Sequence, residues 1–368
     1  MAAFNRERLT IARRRRRQSS KGLAELVGVT PVTLSRWENG VTTPEDSAVA
    51  KIAQALDFPI AFFAGDACAG PEINGASFRS LTTMSPKERD AALAAGSLAY
   101  LLADWVDERF DLPEPDLIDL SYEEDPEAAA AAVRQVWGLG LAPVGDMVRL
   151  LEAHGVRVFS LAENTKNVDA FSCWRDDTPF VFLNTFKSAE RSRFDAAHEL
   201  GHLVMHKHGG PHAGREAETE ANRFASALLM PAQDILGRIR RITGLRDLVQ
   251  AKKRWGVSVA ALAYRLNKLG IVSDWQYRGL CIEMNQTGYR TAEPEGLAPE
   301  RSQIWQKVFT ELWNERLTRD DVATELSIPT AELDNLVFGL TGPAKPPSRS
   351  EAGLRIVSDA STVIGQSQ

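Results

Sequence analysis

The sequence predicts a mainly α-helical protein with one small β-sheet. It would be built as an N-terminal helix-turn-helix bundle, a central α+β domain and a small C-terminal helical domain. Three observations carry this. Short amphipathic segments separated by Gly and Pro fill residues 5–65. One strand-like run, Phe180-Val181-Phe182-Leu183-Asn184, stands in the middle of the chain. Soon after it comes His198-Glu199-Leu200-Gly201-His202, a spacing that belongs on a helix. The predicted segments are 1–66 (helix-turn-helix), 67–127 (linker and amphipathic helix), 128–292 (central domain), 293–341 (small helical domain) and 342–368 (tail).

A chain of 368 residues has room for two or three domains, and 44% hydrophobic with 25% charged residues is ordinary for a soluble protein. The net charge of −6 argues against a surface that coats nucleic acid throughout, yet residues 1–43 hold nine basic and three acidic residues. Such a local reversal marks an anion-binding module. Cys68, Cys173 and Cys281 are odd in number and far apart, which fits reduced thiols rather than a disulfide framework. No apolar leader opens the sequence and no apolar stretch reaches membrane-spanning length, so a cytoplasmic protein without membrane contact is expected.

Within the basic module, Ser20 to Val27 places Leu23, Ala24 and Val27 on one helical face. Gly28 ends that helix, Thr30 caps the next, and Pro31 opens it. The second helix turns Leu34 inward and leaves Thr33, Ser35 and Arg36 for base edges in the major groove of double-stranded DNA. Arg14 and Arg16, within the run Arg13 to Arg17, are expected on phosphates, and Trp37 in the core. Leu23-Ala24, Gly28-Val29 and Ser35-Arg36-Trp37-Glu38-Asn39-Gly40 resemble the XRE, or lambda-repressor-like, family over residues 5–65. Lys21 stands where that family usually has Gln; it can meet phosphate, but base readout there is weakened.

His198-Glu199-Leu200-Gly201-His202 reads H-E-x-x-H. Histidines four apart lie on one helical face, so both imidazoles reach one metal ion, and the Glu between them is placed to act as a base. The third ligand is sought in Glu216-Ala217-Glu218-Thr219-Glu220-Ala221-Asn222. Glu218 shares a face with Ala221, Asn222 and Ala225, whose small alanines permit close helix approach. Asn222 could then hold the second nitrogen of a ligating His. Glu218 is the first choice and Glu220 the second. His206, His208 and His212 are the candidates for stabilising an oxyanion, with His206 read as a surface residue.

The run H-E-L-G-H followed by E-x-x-A-N-x-F-A-x-x-L-L-M-P resembles the ImmA/IrrE family of metallopeptidases. So do the lead-in Arg191 to Ala197, the strand at 180–184 and Leu150 to Val158; the resemblance covers roughly residues 128–292. It implies a gluzincin-like fold, a zinc ion held by His198, His202 and Glu218, Glu199 as the catalytic base, and a repressor-type DNA-binding protein as substrate. The strand at 180–184, if it lies at a sheet edge, could pair the substrate backbone.

The remaining segments are helical. The apolar side of 86–111 (Leu98, Leu101, Leu102, Trp105, Val106) would pack on the peptidase or on a sister copy in a homodimer. Trp255 to Leu266 has the form of a second helix-turn-helix but lacks the first one's basic density, which favours a unit covering the peptidase cleft. Residues 300–340 repeat the pattern weakly as an interaction domain, and the Pro-, Ser- and Gly-rich tail is expected to be mobile. The expected function is a DNA-binding transcriptional regulator whose zinc-dependent endopeptidase domain cleaves a repressor in a stress, phage or mobile-element response. The alternative is a regulator or antitoxin whose peptidase-like domain only senses a ligand or binds a partner.

Overall fold

The computed structural model describes residues 3–71, 84–161, 170–207 and 214–341. The tail, most of the expected linker, and His208 and His212 lie outside these residues. The chain is mainly helical with one three-stranded sheet.

The N-terminal bundle comprises α1 (Arg6–Arg15), α2 (Ser20–Val27), α3 (Pro31–Glu38), α4 (Asp46–Leu56) and a 3-10 turn at Ile60–Ala64. Its caps follow from the sequence. Ser19 Oγ accepts from Gly22 N, Gly28 takes φ 78° at the end of α2, and Thr30 Oγ1 accepts from Thr33 N ahead of Pro31. Leu9, Leu23, Leu34, Ile52, Leu56 and Phe62 are sealed in the core, and Trp37 is buried beside them.

A long helix, α5 (Pro86–Asp107), starts in a capping box between Ser85 and Glu88. It packs on α1 and on the sheet, so its apolar side is used within the chain. Next come α6 (Pro126–Val136) and α7 (Met147–Ala153). The sheet holds β1 (Arg157–Ser160), β2 (Phe171–Arg175) and β3 (Thr178–Leu183) in the order β1-β3-β2. β1 runs parallel to β3, and β2 pairs antiparallel with β3 across a tight turn. The strand at 180–184 is therefore the middle strand, so the condition for pairing a substrate there, an edge position, is not met. Its Phe180, Val181, Phe182 and Leu183 are all buried, as a strand covered on both faces requires. β2 instead forms an edge.

The period-2 alternation of β2 assigns its two faces. Cys173 and Arg175 point to α5, where Tyr100 Oη lies 3.2 Å from Cys173 Sγ and Arg175 forks onto Asp104 at 2.6 and 3.0 Å. Ser172 and Trp174 point to α8 (Ala189–Met205) on the other face. Behind α8 lies α9 (Arg215–Leu229). A Cβ on Gly201 would sit 3.0 Å from Phe224 Cδ1 and 3.3 Å from Ala221 Cα. Gly201 and Ala221 thus set the close approach of the two helices.

After α10 (Ala232–Arg238) come α11 (Leu245–Lys252), α12 (Val259–Lys268) and α13 (Asp274–Gln286), which contact one another. The second helix-turn-helix pattern falls on α11 and α12. There Arg265 of α12 is buried, forking onto Glu127 of α6 at 2.5 and 3.0 Å.

The C-terminal helices α14 (Gln303–Asn314), α15 (Arg319–Glu325) and α16 (Thr330–Leu336) join both halves. The Glu152 carboxylate of α7 accepts from the backbone N–H of Gln303 and Ile304, at 2.8 and 3.2 Å, at the start of α14. Trp305 Nε1 donates to Val158 O of β1 at 2.9 Å. On the other side, Glu332 of α16 accepts from Arg15 Nε at 2.6 Å and from Arg16 Nη1.

Candidate metal centre and DNA-binding face

α8 begins at the Ser188 cap and runs unbroken through His198 and His202, which lie one turn apart with their rings edge to face and centroids 4.7 Å apart. Their Nε2 atoms are 3.0 Å from each other. The Glu218 carboxylate of α9 meets both, Oε2 at 3.4 Å from His198 Nε2 and Oε1 at 3.5 Å from His202 Nε2.

Hydrogen bonds around this trio determine which nitrogen carries each proton. Asn222 Nδ2 donates to Glu218 O at 2.7 Å, which turns Oδ1 toward His198 Nδ1 at 3.2 Å. His198 Nδ1 must then be the donor, and Nε2 keeps its lone pair. The second histidine is held by a chain. Glu220 Oε2 lies 3.0 Å from His206 Nε2, and His206 Nδ1 lies 3.0 Å from His202 Nδ1. With Glu220 accepting from His206 Nε2–H, the other His206 nitrogen accepts from His202 Nδ1–H, and His202 Nε2 is also a lone pair.

Two lone pairs and a carboxylate thus converge where only a cation or a proton satisfies them all. Tetrahedral ligands at bonds of about 2.1 Å stand about 3.4 Å apart, close to the spacings seen, so the donor set fits zinc. Without a metal, charge is split unevenly between the histidines. Burial opposes a proton on His198, but its hydrogen bond to Glu218 and the charges of Glu199 and Glu218 prevail and raise its pKa. Burial pushes His202 down to about 4. The Glu218 carboxyl loses some ionisation to burial, yet the two histidines hold it well below the usual carboxylate range.

Glu199 lies on the buried side of α8, where Ser172 Oγ of β2 donates to Glu199 Oε2 at 2.7 Å. Sequence reading did not single out Ser172 and took His206 for a surface residue. His206 is buried, not a surface histidine, because the end of α8 is covered by α9. Its signal was present as His198, His202 and His206 at four-residue steps on one face. Nothing local marks Ser172. Glu220 faces His206 rather than the trio.

The candidate DNA-binding residues separate into two groups. Ser35 and Arg36 of α3 and Lys21 of α2 are exposed, and Thr33 is half-buried with its hydroxyl 2.9 Å from Thr30 Oγ1. In the basic run at the end of α1, Arg14 stays exposed, while Arg13, Arg15 and Arg16 are drawn inward. Arg13 Nε donates to Glu38 at 2.6 Å, Arg14 stands 3.8 Å from Asp90 of α5, and Arg15 and Arg16 hold Glu332. Arg16 also donates to the backbone carbonyls of Leu56 and Asp57, at 2.7 and 3.0 Å. Its expected place on a phosphate is taken by carboxylate and carbonyl oxygens of the same chain, because α1 lies against α5 and near α16. Arg36→Ala is accordingly expected to relax sequence preference, since it removes a side chain available to base edges. Arg16→Ala is expected to lower the melting temperature more than it flattens the salt dependence of DNA binding. Mobility-shift titrations on specific and random duplexes at several salt concentrations, with thermal melts of both variants, separate the two effects.

A helix-turn-helix of this form is of the kind that DNA-binding domains use, and a paired-helix donor set of two His and one Glu is of the kind that zinc peptidases use. Comparison with known proteins agrees. A helix-turn-helix family model matches residues 11–63, and an IrrE N-terminal-like domain model matches residues 151–267. The radiation response metalloprotease IrrE of Deinococcus radiodurans is 28% identical over 178 residues, 42% of this chain and 52% of the relative. The match thus spans about half the length of that curated relative.

Proposed function

We propose that this protein is a DNA-binding transcriptional regulator whose peptidase domain cleaves a repressor-type protein, in the cytoplasm, as part of a stress, phage or mobile-element response. The observation that carries the peptidase reading is the convergence of His198, His202 and Glu218 beside a buried, oriented Glu199. His198, His202 and Glu218 would hold zinc, which supplies Lewis acidity at the scissile carbonyl and lowers the pKa of water to about 7.

The chain's own residues then have separate tasks. Glu199 accepts the proton of the attacking water and is placed to return it to the leaving amine. Ser172 holds the Glu199 carboxylate in one rotamer. Asn222 and the His206–Glu220 pair keep both imidazoles in the tautomer that turns Nε2 inward.

The helix-turn-helix supports double-stranded DNA as a second partner and would bring the peptidase to operator-bound proteins. Among the described residues no helix is long and apolar enough to cross a membrane. The repressor reading is tested by incubating the zinc-loaded protein with repressors encoded in its own genome and reading their masses. One new pair of fragments from a single repressor is the expected result; intact masses throughout would leave the sensor reading in its place.

The ligand assignment has its own test. Glu218→Ala is expected to abolish stoichiometric zinc binding at micromolar protein. Glu220→Ala, acting only through His206, is expected to weaken zinc by about 10–100-fold. Competition with a chelating dye measures both. Equal losses in the two variants would mean that the carboxylates exchange roles.

A further inference from the structure

A cavity of about 460 Å³ opens directly beside the metal-ligand residues, bounded by α8, α9 and α12. Asn222 belongs to both places: its Oδ1 holds His198, and its side chain lines the cavity. Phe194 of α8 and Tyr264 of α12 supply aromatic wall, and Ala261 leaves room between the helices.

We propose that this cavity is the subsite for a bulky aromatic side chain of the peptide substrate, one or two residues from the scissile bond. The inference rests on the peptidase reading above. An extended chain advances about 3.3 Å per residue, so such a side chain reaches past Asn222 into the cavity. Charge argues against the other classes. Lys187 Nζ is 2.6 Å from Asp195, Arg191 donates to the carbonyl of Arg290, and Glu190 Oε1 lies 3.1 Å from Lys252 Nζ. These charges are answered within the chain, so a charged side chain entering here would give up its hydration without a counter-charge reserved for it. The ring faces of Phe194 and Tyr264 favour an aromatic over an aliphatic side chain.

The test uses the full chain carrying Glu199→Gln, so that binding is read without cleavage. Decapeptides of Gly and Ser with one varied position (Phe, Tyr, Trp, Leu, Lys, Asp or Gly) are titrated by fluorescence anisotropy. Aromatic peptides are expected to bind at least about 10-fold tighter than the Gly peptide, the worth of burying one large side chain. Ala261→Trp, which fills the cavity, should remove that preference. Tyr264→Ala, which truncates an exposed side chain and spares the core, should reduce it. Equal binding of all peptides, a preference for Lys or Asp, or an aromatic preference that survives Ala261→Trp would overturn the proposal. Wild-type protein and the same peptides separate this from the peptidase reading. Aromatic binding with no hydrolysis fails the peptidase and leaves the subsite standing; hydrolysis with no aromatic preference does the reverse.

Discussion

Glu199→Gln is expected to reduce cleavage of the target protein by about 10²–10⁴-fold, the usual worth of a positioned base. Zinc content should stay near that of the wild type, because Glu199 is outside the ligand trio. The amide can still accept from Ser172 Oγ, which now bonds Glu199 Oε2 at 2.7 Å, so the packing of α8 on β2 is kept. What is lost is the capacity to take a proton. DNA binding should not change, since the candidate recognition helix is a separate element of the N-terminal bundle. The measurement is repressor length by mass spectrometry, beside zinc content and a mobility shift, for wild type, Glu199→Gln and His198→Ala. His198→Ala should lose zinc as well as activity. If Glu199→Gln still supports a full transcriptional response while the repressor stays uncut, the domain is a sensor and not a protease.

Glu332→Ala is expected to destabilise the chain by about 3 kcal/mol, in the range seen when one partner of a buried ion pair is removed. Glu332 is 1% exposed and holds both Arg15 and Arg16, which come from the first helix of the DNA-binding bundle. Without it, two guanidinium groups lose their shared carboxylate at the junction of α1 and α16. Either the pair stays buried at this cost or the bundle separates from α16 to rehydrate it. Differential scanning calorimetry reads the first outcome as a lowered single transition and the second as a split one. Asp90→Asn is the control: that carboxylate is 36% exposed and 3.8 Å from Arg14, and its loss should change stability by less than about 1 kcal/mol. Equal effects of the two substitutions would show that Glu332 is not the clamp.

Much of the site was legible because its logic is local. Four-residue spacing alone puts His198 and His202 on one face, and the same rule groups Glu218 with Asn222. Gly28, Thr30 and Pro31 mark the turn between α2 and α3 by their own backbone chemistry, and those helices form there. Amphipathic period and caps likewise announce α5 and α6.

What only the tertiary structure decided are the partners of groups that can satisfy themselves in several ways. Five successive arginines must meet anions, but local sequence does not say whether those are phosphates or carboxylates. Arg16 finds its carboxylate 316 positions away. His206 became an inner residue because α9 covers the end of α8, and Ser172 reached Glu199 because β2 packs on α8 with the face that carries Ser172 and Trp174. The strand at 180–184 was recognisable as a strand, but its central place was not. Strand order depends on which segments pair across loops, and the backbone hydrogen bonds that choose it are the same for every side chain.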